Sequence, residues 1–275
     1  DELSISSAGA DGHHGGSVAY AIPINTLGGR VSLGYYEDRV AVVNGPLRSL
    51  DIRSETATAI LSLRQPLFHT DTLRLVGVLT TKKRQGETRV SAVSLAQSEV
   101  TAHTAGVEST WISGPDNVRG NLSTSIGHDT TLAARRHFST WRATAAAGHD
   151  LGKGYAVRGS MGLQLGSTSL LPSSEQFYAG GDNSVRGYAP GILVGDRGAT
   201  ASLELQHPLP GNEVGRVGDF AYSGFLFHDY GEVKPFLPPS PILGTQKIAS
   251  VGWGVNMTFQ SWLSVRLSIG YKLKE

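Results

Sequence analysis

"LSVRLSIGYKL", Leu263 to Leu273, puts Leu263, Val265, Leu267, Ile269, Tyr271 and Leu273 on one side of an extended chain and Ser264, Arg266, Ser268, Gly270 and Lys272 on the other. Successive side chains of a strand point to opposite faces, so this period of two marks a β-strand with one apolar and one polar face. The pattern recurs upstream. "YAVRGSMGLQLG" opposes Tyr155, Val157, Met161, Leu163 and Leu165 to Arg158, Ser160, Gln164 and small residues. "WRATAAAGH" from Trp141 and "ATASLELQ" from Ala199 alternate likewise, the second with Leu203 and Leu205 against Ser202, Glu204 and Gln206. No stretch joins a 3.6-residue period to helix caps, so the chain reads as all-β. About thirteen such runs are counted, from 2–8 and 16–24 through 70–84, 153–169, 198–209 and 217–233 to 261–273.

Composition narrows the class. The 275 residues carry a net charge of +1, which calls for neither nucleic acid nor an acidic partner. The chain has no cysteine, which suits an oxidising compartment such as the periplasm or bacterial surface. It is 39% hydrophobic, and no run approaches the roughly 18 apolar residues of a membrane helix. That excludes helical membrane proteins and leaves a membrane β-barrel, whose apolar residues are diluted one in two. The opening "DELSISS" shows no charged-then-apolar leader pattern.

Two architectures fit the alternation. A soluble sandwich turns the apolar face inward and the polar face to water. A membrane barrel turns the apolar face to lipid, and the polar face lines a lumen. Several runs exceed the usual 5–6 residues of a strand and suit a tilted bilayer crossing. Arg64, Arg142, Arg158, Glu204 and Arg266, among Gly, Ser and Thr, suit a water-filled interior. Tyr20, Tyr35, Phe68, Trp111, Trp141, Tyr155, Phe259, Trp262 and Tyr271 sit mostly near predicted strand ends, like interfacial girdles. A transmembrane antiparallel β-barrel over residues 1–275 is the preferred reading. "NTLGG" (25–29), "SGPDN" (113–117), "HDLGKG" (149–154) and "LPGNEVG" (209–215) read as turns, and "KPFLPPSPILGTQ" (234–246) as an exposed loop.

Candidates for chemistry are few. Adjacent His13 and His14 lack the spacing of a zinc ligand set and read as an exposed loop. "GHD" at 127–129 and at 148–150 has no nucleophile beside it and reads as turn chemistry at strand ends. "RGSMG" (158–162) is not a nucleophile elbow, since it lies within a smooth strand. "KKR" (82–84) reads as a solvated loop, with anionic headgroups or lipopolysaccharide as the alternative. No enzyme, metal or cofactor is expected.

Two segments remain. "GGDNSVRGY" (180–188) lies in a long loop, 171–197, and carries Arg186 at its tip. "FLFHDYGEV" (225–233) places Asp229 on the polar parity of a strand, flanked by Phe227 and Gly231. A loop folded into the lumen with Arg186 gripping Asp229 by two parallel hydrogen bonds explains both charges. Gly180, Gly181 and Gly187 would permit its tight turns. On the residues alone, an exposed loop and an unrelated aspartate is the alternative.

The tip, Gly180, Gly181, Val185, Arg186, Gly187 and Tyr188, resembles the V-R-G-Y/F loop tip of the outer-membrane insertase and translocase superfamily. "FHDYG" resembles its partner F-x-D-x-G strand motif. Within that superfamily, "GDRGATASLELQHPL" (195–209), with Gly195, Asp196, Gly198 and Glu204, is similar to a segment of two-partner secretion translocators, the TpsB or haemolysin-activator family. "VAYAIPI" also resembles their early barrel strands. The resemblance implies a sixteen-stranded barrel in the Gram-negative outer membrane, with loop 171–197 in its lumen and Arg186 latched to Asp229. It implies export of a large, unfolded β-helical exoprotein, a TpsA-like partner, without ATP. Outer-membrane lipid and lipopolysaccharide would surround a monomer. The periplasmic POTRA domains of the family are not expected within 1–275. The alternatives are an insertase or assembly-factor barrel of the same superfamily, a passive outer-membrane pore, and a soluble β-sandwich.

Overall fold

The computed structural model describes every residue except 92, 131–134, 167–169, 210–219, 236–243, 260–261 and 275. Most of the "LPGNEVG" turn, the middle of the Pro-rich loop at 234–246 and the strand ends expected at 167–169 and 217–219 lie outside the described residues. The chain runs through β1 (Glu2–Ala10), β2 (His13–Pro23), β3 (Arg30–Ala41), β4 (Ile52–His69), β5 (Leu73–Val90), β6 (Val93–Ser113), β7 (Asp116–Asp129) and β8 (Arg136–Gly152). It continues through β9 (Tyr155–Gly166), β10 (Phe177–Ala179), β11 (Leu193–Gly195), β12 (Arg197–Pro208), β13 (Phe220–Lys234), β14 (Gln246–Phe259) and β15 (Leu263–Lys274). Thirteen strands form one sheet whose order follows the chain, β1 to β9 and then β12 to β15; β10 pairs with β11 apart from it. Thirteen is the number the periodicity predicts, and the sixteen of the resemblance is not reached among the described residues.

Contacts divide the chain into two compact units. The first comprises Asp1–His69, Leu75–Val107 and Ser123–Thr140. Its antiparallel register sets Leu33 opposite Leu61, both more than half exposed. The turn at 25–29 is closed by Asn25, whose Oδ1 accepts from the amides of Leu27 at 3.1 Å and Gly29 at 2.8 Å. Three expectations are corrected here. His13 and His14 begin β2 rather than lying in a loop, and His13 Nε2 is 2.6 Å from Asp38 Oδ1 on the neighbouring strand. Lys82–Arg84 lies inside β5, with Lys83 Nζ 3.2 Å from Glu99 Oε1. Tyr35 falls in mid-strand. The cause is common to the first two: backbone pairing continues where both faces turn polar, and apolar alternation no longer reports it.

The second unit comprises Thr70–Arg74, Glu108–Leu122 and Trp141–Glu275. Its β9, β12, β13, β14 and β15 pair antiparallel in that order. Along β13, Phe225, Phe227, Asp229 and Gly231 are buried while Leu226 is 54% exposed. Leu203, Trp253, Leu267 and Ile269 on its neighbours are as bare. The apolar face is the uncovered one, and the charged, glycine-rich face is covered. A soluble sandwich requires the reverse, and an apolar face of this extent is stable against lipid. The turn Lys153–Gly154 has φ of 54° and 85°, the primed geometry that matches strand twist in a two-residue hairpin.

Candidate functional site

What covers the polar face of the second unit is the segment after β9. The sequence reads 171–197 as a loop, yet it has structure: a 3-10 turn at Ser173–Glu175 and the hairpin β10–β11, with Tyr178 opposite Val194. Three-residue strands are too short to show a period, which is why they were not legible. Between β10 and β11 the chain makes a tight tip. The Gly181 amide donates to the Val185 carbonyl at 3.1 Å, and the Gly180 amide donates to Ser184 Oγ at 2.8 Å. Val185 is fully buried in a cluster with Ala179, Tyr188, Leu193, Val233 and Ile248. A Cβ on Gly231 would come within 2.8 Å of Val185 Cγ2, so the glycine of the strand motif makes room for the tip valine. The Tyr188 hydroxyl donates to the Ala249 carbonyl at 3.2 Å.

Arg186 sits at the centre. Its Nε and Nη2 donate to the two oxygens of Asp229 at 2.7 and 2.6 Å, and its own backbone amide adds a third bond at 3.1 Å. Ser202, directly across from Asp229 on β12, donates its hydroxyl to Asp229 Oδ1 at 2.6 Å and accepts from Arg186 Nη2 at 3.1 Å. Arg186 Nη1 donates to Glu204 Oε1 at 2.5 Å, and Arg266 Nη2 reaches the same oxygen at 2.6 Å. Asp229 is wholly buried and Arg186 6% exposed. A buried charge is tolerated only when paired and hydrogen-bonded, and here each carboxylate oxygen of Asp229 has more than one donor. The net contribution of such a pair to stability is small; the bidentate geometry fixes where the tip lies.

The rings beneath belong to the same register. Phe227 faces Gly252 and Phe225 faces Gly254 on β14, and a Cβ on either glycine would strike the ring opposite. The bare glycines let both rings lie flat on the neighbouring strand, as aromatic side chains do over sheet glycines. Their π faces then meet cations, with Arg186 Cζ 3.5 Å from the Phe227 centroid and Arg266 Cζ 4.0 Å from that of Phe225.

A second anchor holds the base of the loop. Arg142 on β8 donates to Gln164 Oε1 at 2.7 Å, to the Glu175 carbonyl at 2.8 Å and to Glu175 Oε2 at 3.0 Å. Gln164 Nε2 donates to the carbonyls of Glu175 at 2.9 Å and Asp196 at 3.2 Å, and Asp196 Oδ1 accepts the Leu171 amide at 2.7 Å. Glu175, Gln164 and Asp196 are at most 2% exposed. The geometry thus brings Arg186, Asp229, Glu204, Phe227 and Gly231 together at the tip. Asp196 goes to the base, where Gly198 lies under the Phe177 ring and Gly195 against Val233. Gln164 and Glu175 were not among the candidates, and Arg142 was only a polar-face residue. The available signal was parity: Gln164, Arg142, Ser202 and Glu204 all lie on the polar side of their strands.

The fold has solved counterparts. CdiB from Acinetobacter baumannii superposes with a TM-score of 0.74 at 16% identity, over 95% of this chain and 47% of that one. CdiB from Escherichia coli gives 0.76 at 17%, over 95% and 49%. BamA from Haemophilus ducreyi lacking POTRA domains 1-3 gives 0.72 at 14%, over 99% and 61%. The chain therefore spans about half the length of the CdiB chains. No curated protein matches it. Residues 3–257 match the family described as haemolysin secretion/activation protein ShlB/FhaC/HecB, and over that span, with its strands, loop tip and strand motif in place, the chain belongs to this family.

Proposed function

We propose that the chain is the translocator barrel of a two-partner secretion system of the Gram-negative outer membrane. It exports a large, unfolded β-helical exoprotein through a polar lumen and works as a monomer among outer-membrane lipid and lipopolysaccharide. Loop 171–197 is the gate, and Arg186–Asp229 is its latch. One observation carries the reading: a loop pinned across the polar face by a bidentate pair at its tip and a separate polar anchor at its base. A passive pore needs no such device. An insertase barrel shares the loop-tip motif and the fold likeness, while the segment from Gly195 to Glu204 favours the translocator. Energy for export comes from folding of the exoprotein outside, so the chain's own task is to hold and release the loop. The test is export of a cognate exoprotein by the full-length protein carrying Arg186→Ala, with insertion checked by heat-modifiable migration in gels. Export falls while insertion persists. Wild-type export would sink the gating role.

A further inference from the structure

Arg186 and Arg266 occupy two seats of one design. Each lies over a phenylalanine ring, at 3.5 Å on Phe227 and 4.0 Å on Phe225, and both donate to Glu204 Oε1. Arg266 comes from the wall itself, on β15, whereas Arg186 arrives on the loop tip. The seat of Arg186 is built by β12, β13 and β14 alone: Ser202 and Glu204, then Phe227 and Asp229, with Gly252 beneath the ring.

We propose that, once the tip withdraws, this seat receives arginine side chains of the polypeptide passing through the barrel. The proposal rests on the translocator reading above. Withdrawal uncovers the Asp229 carboxylate and leaves it without its cation. Glu204 keeps Arg266 at 2.6 Å, so the uncompensated charge is that of Asp229. A planar guanidinium stacks on Phe227 and spans both oxygens of Asp229 at once. An ammonium is a strongly hydrated point charge that satisfies one oxygen and stacks poorly, so lysine is the weaker occupant. An arginine in the seat excludes Arg186 and holds the gate open. Its departure lets the tip return. Because the two compete for one seat, a change that loosens the tip without altering the seat raises the apparent affinity for the arriving arginine, by no more than the hold that was lost.

The experiment uses Asp182→Cys, at an exposed tip position in a chain with no other cysteine, labelled with an environment-sensitive dye in the protein reconstituted in lipid vesicles. Arginine amide and lysine amide are titrated at matched ionic strength. Arginine amide should release the tip at about tenfold lower concentration than lysine amide, and Asp229→Asn should erase the difference. Equal potency of the two amides, or a difference that survives Asp229→Asn, overturns the proposal. In Arg186→Ala the seat is vacant, so arginine amide should bind about tenfold or more tighter than to the parent protein, and no gain would also overturn it. These readouts need no exoprotein. Loss of arginine selectivity therefore defeats the seat and leaves the translocator reading standing. Wild-type export by Arg186→Ala with intact selectivity defeats the gate of that reading, and with it the passing polypeptide as the occupant.

Discussion

Gly187 and Gly270 meet backbone to backbone. A Cβ on Gly187 would lie 2.7 Å from the Gly270 carbonyl oxygen, and one on Gly270 would lie 2.8 Å from the Gly187 amide nitrogen. Neither atom is the movable end of a side chain, so no local adjustment relieves the clash. Gly187 also has φ of 87°, which L-residues avoid. Gly270→Ala should lift the tip from β15 while the sheet stays paired, exposing the backbone around 180–190 to protease. Gly187→Ala adds roughly 1–2 kcal/mol of backbone strain and should be worse. Unchanged cleavage in both variants would show that the tip does not depend on this contact.

Removing one partner of a buried pair leaves the other charged and uncovered, at a cost of about 3–5 kcal/mol. Arg186→Ala and Asp229→Ala should each approach this range in denaturant unfolding of the detergent-solubilised protein. The double variant should cost far less than their sum, with a coupling energy of at least about 1.5 kcal/mol. Additive effects would mean that the two side chains do not act as a unit.

The base anchor is open to a local measurement. Asp196→Ala takes the acceptor from the Leu171 amide, now bonded at 2.7 Å. Hydrogen exchange at Leu171 should accelerate by the equivalent of about 1–3 kcal/mol, the cost of leaving a buried donor unpaired. Exchange at the tip amide of Arg186, held by Asp229, should change little. Coupled acceleration at both sites would show that base and tip release together.

Lys153 adopts a left-handed conformation, with φ of 54°, in the turn that precedes Gly154. Asparagine tolerates that region far better, and Asn-Gly is the preferred pair for such turns. Lys153→Asn should raise the thermal midpoint, gaining about 0.5 kcal/mol without touching either anchor. A lower midpoint would contradict the turn geometry.

The strands were legible wherever apolar and polar residues alternate, as from Leu263 to Leu273. Legibility failed at 85–90, beyond the run 70–84, and at His13–His14, where strands continue with polar residues on both faces. The pairing of Arg186 with Asp229 follows from parity and from the resemblance together, since parity alone leaves the loop free to point outward. Glu204 as a second acceptor of Arg186 was not foreseen. Its role depends on register, which sets Glu204 across from Phe227 and so beside the ring on which Arg186 stacks. Glu175 escaped for a related reason. It lies in a turn without periodicity, and its partner Arg142 is 33 residues away in the chain.

The separation of the loop's two anchors has a kinetic consequence. With the base still held by Arg142, Gln164 and Glu175, a tip freed from Asp229 remains tethered within a short arc of its own seat. Short tethers of this kind sustain local concentrations in the millimolar range. A rival for the seat thus contends with a nearby, ever-present competitor and displaces it only while it is itself supplied at comparable density. A lone solute passing by would win the seat briefly. A continuous thread, delivering one side chain after another to the same spot, would keep it.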